Sequence, residues 1–121
     1  MRPIRSAPPA GDDADVRDDG SGAAGLAVRH NAAANRFEAE VDGRTCFASY
    51  HLVEGVMRIH HTEVPADLEG RGIASRIVHE ALAYAESHGL DVEPWCSFVR
   101  SYMRRHPETQ RLLPEGFRLP G

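Results

Sequence analysis

A glycine-containing turn set between a β-type run and an amphipathic helical run constrains this 121-residue chain more than any other feature. It reads Glu69-Gly70-Arg71-Gly72-Ile73-Ala74-Ser75. A strand that passes through such a turn into a helix aims several unpaired backbone N–H groups at one spot, and the positive end of the helix dipole reinforces them. An anion such as a pyrophosphate fits there. Gly70 and Gly72 lack the Cβ atoms that would hold a phosphate at a distance, and Arg71 can add a charge-assisted contact from the side. Many strand-to-helix connections carry two glycines for steric reasons alone, so the turn by itself names no ligand.

The periodicity around the turn sets the fold class. Phe37, Ala39 and Val41 alternate with Glu38, Glu40 and Asp42, after which Asp42-Gly43 forms a tight turn. Residues 45–53 pair back with Cys46, Ala48, Tyr50 and Leu52 on one face and Phe47, Ser49, His51 and Val53 on the other. Glu54-Gly55 makes a second turn, and residues 56–64 form a third strand that stops at Pro65, which has no N–H for a ladder. These three runs predict an antiparallel meander. Across residues 70–88, Ile73, Ile77, Val78, Ala81, Leu82 and Ala85 recur at helical spacing, and Gly89 supplies a left-handed C-cap. Residues 90–94 return as a short buried strand through a right-handed crossover. A second helix starts near Ser97, turns Val99, Tyr102 and Met103 inward, and stops at Pro107. The order β-β-β-α-β-α predicts an α+β fold, a compact mixed sheet with helices packed on it.

The length allows one domain, expected over residues 28–113. Residues 1–27 carry Pro3, Pro8, Pro9 and the run of Asp12, Asp13, Asp15, Asp18 and Asp19, with few apolar anchors, and are expected to be a disordered acidic tail. Residues 114–121 are expected to be a C-terminal tail, with Leu112, Leu113, Phe117 and Leu119 packing loosely. No early apolar stretch reads as a signal peptide, and no run approaches the roughly 18 apolar residues of a membrane span. Cys46 and Cys96 have neither disulfide-framework nor zinc-finger spacing, and the expectation is a soluble, cytoplasmic protein with no membrane partner. A net charge of −4 argues against general nucleic-acid binding, although Arg100, Arg104, Arg105 and Arg111 leave room for a local basic patch. Every one of the 14 basic residues is arginine, so lysine side-chain chemistry is excluded.

Together, motif and order resemble the GNAT superfamily of acetyl-coenzyme A-dependent N-acetyltransferases, in particular its smallest single-domain branch. Gly72 and Ala74 occupy the last two positions of that superfamily's Arg/Gln-x-x-Gly-x-Gly/Ala signature. Glu69 occupies the first, which is a departure, because an acidic side chain has the wrong sign beside a phosphate. Resemblance to the minimal branch extends over about residues 31–111 and rests on four blocks: His61-Thr62-x-Val64-Pro65, Gly70-Arg71-Gly72-Ile73-Ala74, Pro94-x-Cys96-x-Phe98-Val99 and His106-Pro107. It implies acetyl-coenzyme A as cosubstrate, its diphosphate on residues 70–75 (Gly70, Arg71, Gly72, Ile73, Ala74 and Ser75). It further implies that the strand ending at Val64 parts from the strand ending near Pro94, and that the pantetheine arm enters the gap past Thr62 and Val64.

Acetyl transfer to an amine needs a deprotonated nucleophile, a polarised thioester carbonyl and a proton for the departing thiolate. An alkyl amine of pKa about 10.4 is neutral only about once in a few thousand at pH 7, so a base is useful. His61 and Glu63 are the candidates, two apart and on one face if no bulge intervenes, with His60 facing the other way. Both also read as ordinary polar residues at a strand end. Backbone N–H groups around residues 62–64 would polarise the carbonyl. Cys96, between a short strand and a helix, sits where a dipole favours the thiolate; it accepts the acetyl group, lines the thioester pocket, or is simply a small buried side chain. Tyr102 resembles the family's donor to the thiolate, and its alternative is packing. A metal site from His51, His60 and His61 is not expected. Two functions remain open: an N-acetyltransferase acting on an unidentified amine, such as a protein amine, and an acyl-coenzyme A sensor or partner-binding module with little turnover. A nucleic-acid contact through residues 100–111 is weaker than either.

Overall fold

The computed structural model describes residues 25–119, so the expected acidic tail lies, but for its last three residues, outside the described part. Five strands form one sheet in the order β1-β2-β3-β4-β5: β1 (Arg29–Asn31), β2 (Arg36–Val41), β3 (Arg44–Val53), β4 (Val56–Glu63) and β5 (Asp91–Pro94). The first three pairings, from β1 to β4, are antiparallel, and β4 pairs with β5 in parallel. Helix α1 (Ile73–Ser87) crosses from β4 to β5, and helix α2 (Ser97–Arg105) follows β5. The fold class is the mixed α+β sheet that the periodicity predicts.

Edge strand β1 is the element absent from the sequence reading. It is three residues long and polar, so no alternation marks it. A single 3-10 turn (Ala32–Ala34), closed by the Asn31 side chain and by Asn35 in the left-handed region, folds it back onto β2.

Helix α1 begins at Ile73, the first of its apolar positions, and not at the start of the expected span of 70–88, because Gly70 (φ 85°) and Gly72 (φ 77°) are both left-handed, and Gly72 becomes the N-cap. Its other end closes as anticipated. Gly89 (φ 69°) lets Leu90 N–H reach the Ala85 carbonyl at 2.8 Å while its own N–H reaches that of Glu86, the paired bonds of a Schellman motif.

Phe37, Ala48, Tyr50, Met57, Ile59 and Val92 from the sheet meet Ile77, Val78, Ala81, Val99 and Met103 from the helices in one core. Each large side chain so buried contributes roughly 1.5–3 kcal/mol. Cys46 is fully buried in it, and burial pushes its thiol above the ordinary range. Leu52, expected on the same face, is 53% exposed near the end of the β3–β4 hairpin. Leu112 is buried, and Leu113 and Leu119 pack against the core. The opposite face of the sheet is polar and aromatic: Arg36 lies over the Phe47 ring at 4.4 Å, and Arg58 pairs with Glu93 at 3.0 Å and lies over Trp95 at 5.2 Å. Among the described residues, no helix is long and apolar enough to cross a membrane.

Candidate functional site

The site begins where the parallel ladder ends. β4 and β5 are in register from Val56 opposite Asp91 to Ile59 opposite Pro94, and a last bond runs from Trp95 N–H to the Ile59 carbonyl at 2.9 Å. From there β5 gives way to α2, while β4 continues to Glu63 with only β3 beside it.

A bulge at the same place decides which side chains face where. Tyr50 opposes Ile59 but Ser49 opposes His61, so His60 is the extra residue. Regular alternation would have put His61 with Met57 and Ile59 in the core. Instead Thr62, opposite Ala48, faces the helices, while His61 and Glu63, opposite Ser49 and Phe47, share the open face. His61 Nε2 and Glu63 Oε1 are 2.9 Å apart. His60 does not face the other way as expected; the bulge brings its ring 4.4 Å from His51, an open-face neighbour, and partial burial with the charges of His51 and His61 lowers its pKa.

Beyond β4, Pro65 and a 3-10 turn (Ala66–Leu68) lead to Glu69 and the two glycines. The loop is strapped to the β2–β3 hairpin by Arg44, which donates to both Asp67 oxygens at 2.8 and 2.7 Å and holds that carboxyl below its usual range. Arg71 joins the same hairpin, 3.4 Å from Asp42. The first helical bond of α1 is Arg76 N–H to the Gly72 carbonyl at 3.0 Å, which leaves the N–H groups of Ile73, Ala74 and Ser75 without intrahelical acceptors.

A cleft of about 710 Å³ joins the two features. It is lined by Thr62, Glu63 and Val64 of the parted strand, Leu68 and Glu69 of the loop, and Gly70, Gly72, Ile73, Ala74 and Ser75 of the turn. Helix α2 closes the wall with Phe98 and Arg105. Its volume falls within the roughly 300–1,000 Å³ of small-molecule and cofactor sites.

Most of the residues singled out in the sequence therefore meet around one cavity. Cys96, the N-cap of α2, faces Thr62 across the strand gap, with Sγ 3.5 Å from Oγ1. Arg71 does not line the cleft, since its guanidinium turns to the hairpin. Nor does Tyr102: it is buried, its hydroxyl lies 3.4 Å from Nδ1 of His79 on α1, and its ring stacks on His106. The reason is helical phase, because Tyr102 shares its face with Val99 and Met103, both fully buried. Leu68 and Arg105 are cleft residues that sequence reasoning missed, although the seven-residue spacing of Arg105 from Phe98 places those two on one helical face. Among the described residues, no cluster of three or more histidine, cysteine or acidic side chains is placed to hold a metal.

Comparison with known proteins adds a family. The model for the GCN5-related N-acetyl-transferase domain matches residues 36–112, which spans β2 through the turn after α2. Protein NATD1 of Mus musculus is 26% identical over 90 residues, covering 72% of this chain and 82% of that protein. Protein NATD1 of Homo sapiens matches at the same identity over 80% of its length.

Proposed function

Because the chain belongs to the GCN5-related N-acetyltransferase family, we propose that it binds acetyl-coenzyme A in the cleft and transfers the acetyl group to an amine. One observation carries this reading: the end of β4 that β5 leaves and the glycine turn line the same cavity, as a long ligand with an anionic end and a reactive end requires. The diphosphate lies on the N–H groups of residues 70–75 at the start of α1. The pantetheine arm runs between β4 and the start of α2, which brings the thioester to Thr62 and Cys96.

The amine nitrogen then attacks the thioester carbonyl carbon, the C–S bond breaks, and sulfur departs as thiolate and takes up a proton. N–H groups of residues 62–64 stabilise the oxyanion. Glu63 lines the cleft and is paired with His61, so it receives the amine proton directly or through water. Cys96 either accepts the acetyl group on its sulfur before the amine arrives or lines the thioester pocket. The open face beside His61 and Glu63 suits an amine projecting from a large molecule such as a protein. The unbridged Cys46 and Cys96 suit a reducing compartment such as the cytoplasm.

Calorimetric titration with acetyl-coenzyme A and with coenzyme A tests the reading. Wild type is expected to bind in the micromolar range, and Gly72→Glu to lose binding, because a side chain strains the left-handed position and brings negative charge to the cradle. Equal binding by the two proteins refutes the assignment. Intact mass after incubation with labelled acetyl-coenzyme A, with and without Cys96→Ala, separates the two roles of the cysteine.

A second reading is a sensor that binds the thioester with little turnover. It is favoured by Tyr102, whose hydroxyl is engaged at His79 and is not among the cleft-lining groups. Steady-state release of free thiol in the presence of amine acceptors distinguishes it from the enzyme.

A further inference from the structure

We infer that Arg105 holds a phosphate of the coenzyme, supplying from the last turn of α2 the cation that the glycine motif lacks. The inference rests on the coenzyme A reading above and adds a residue to it. Three observations converge. The cleft wall next to the glycine turn carries Glu69, so the carboxylate opposes an anionic ligand there. Arg71, the cation within the turn, is directed to Asp42 on the β2–β3 hairpin. Arg105 lines the same cleft from the other wall, two helical turns from Phe98.

The arginine is also braced for the task. Its guanidinium carbon lies 5.8 Å from the centre of the Tyr102 ring, and Tyr102 is only 3% exposed and fixed between α1 and His106. A guanidinium restricted in this way loses less freedom when it closes on a phosphate, and its N–H donors match phosphate oxygens. The packing of Tyr102 thus gains a purpose: it supports the stem of the binding residue instead of donating a proton. Of the charged residues lining the cleft, Glu63 and Glu69 are acidic and Arg105 is basic, so the coenzyme's phosphates depend on this one side chain for attraction beyond the backbone cradle.

Calorimetric titration of the full chain with coenzyme A and with 3′-dephospho-coenzyme A tests the assignment. Arg105→Gln is expected to bind coenzyme A roughly tenfold to a hundredfold more weakly than wild type. It should also show a shallower dependence on salt, which a structural role would not alter. The same loss with both ligands assigns the diphosphate, and a loss confined to coenzyme A assigns the 3′-phosphate. Binding by Arg105→Gln within twofold of wild type overturns the inference while leaving the coenzyme reading intact; failure of wild type to bind overturns both. Should Arg105→Gln unfold at a lower temperature, Arg105→Lys decides. It keeps the charge, so recovery of most of the affinity supports the role and affinity as poor as that of the glutamine variant refutes it.

Discussion

The sheet ends in two short edge strands with opposite designs. β1, of three residues, is clamped shut by side chains. Arg29, Arg36 and Asn31 all donate to the Glu38 carboxylate, and His30 is packed among Phe37 at 4.2 Å, Tyr84 at 4.4 Å and the Tyr50 hydroxyl at 2.5 Å. β5, of four residues, pairs cleanly and then departs, leaving the far half of β4 without a neighbour on that side. An exposed strand edge invites unwanted pairing, so a protein closes it, covers it or puts it to use. Here one edge is closed by side chains and the other opens onto the cleft that the proposed function fills with a ligand. Changes at β1 should therefore be read in unfolding, and changes at the parted end of β4 in activity.

The largest expected effect tests the open edge. Glu63→Gln removes the proposed base but keeps shape and the partner for His61, and kcat/KM for acetyl transfer should fall about a hundredfold. Because both side chains are more than half exposed, at 53% and 58%, stability should move by less than about 0.5 kcal/mol. A drop in the unfolding midpoint of the size seen in core variants would break the division between the edges.

At the closed edge, Glu38 is the key group. The Arg29 and Arg36 guanidiniums, followed by Asn31, hold its carboxyl at about 2, against the opposing effect of burial. A folded-state value below the unfolded one gives stability that is complete above the ordinary carboxylate range and is lost as pH falls from about 4.5 to about 2. Glu38→Gln should cost about 2 kcal/mol at pH 7, flatten that part of the acid profile and leave coenzyme binding unchanged. Denaturant unfolding between pH 2 and 7 provides the measurement. A variant as stable as wild type at pH 7 would mean that the clamp carries no net energy.

The same contrast explains what could be read in the sequence. The meander, the glycine turn and α1 are written in local periodicity and in residues that adopt positive φ, so they were legible, as was the gathering of Thr62, Val64, Gly70 and residues 72–75. β1 was not, because Arg29-His30-Asn31 has no alternation and owes its place to hydrogen-bond partners 7 to 20 residues away in the chain and to Tyr84 of α1, farther still. Arg71 and Arg105 were misplaced for a similar reason. Proximity in sequence favoured Arg71 at the turn, whereas Asp42, brought up by the hairpin, draws it off, and the arginine that lines the cleft is Arg105 of α2. Tyr102 carried two incompatible expectations, inward packing with Val99 and proton donation in the gap. Helical phase settled the orientation, and a family role had no local sequence signal to set against it. The bulge at His60 was invisible for want of a glycine to mark it, yet it is what turns His61 away from the core.

The smallest effect lies at the other half of the closed edge. Partial burial, followed by the charge of His88, lowers the pKa of His30, so the native state favours the neutral ring. With the folded value below the unfolded 6.5, this stability is full above pH 6.5 and drains away as pH falls through the folded value, a window that opens at a higher pH than that of Glu38. Protonation would place a charged ring between Phe37 and Tyr84 and alter its bond to the buried Tyr50 hydroxyl. The expected loss is of the order of one hydrogen bond, about 1 kcal/mol. His30→Phe keeps the stacking and removes the proton, so the wild-type minus variant difference in unfolding free energy should shrink below pH 6.5 while the Glu38 window persists. If the difference is flat across that range, the histidine contributes packing alone, and the closed edge is held by its carboxylate cluster without help from a titrating ring.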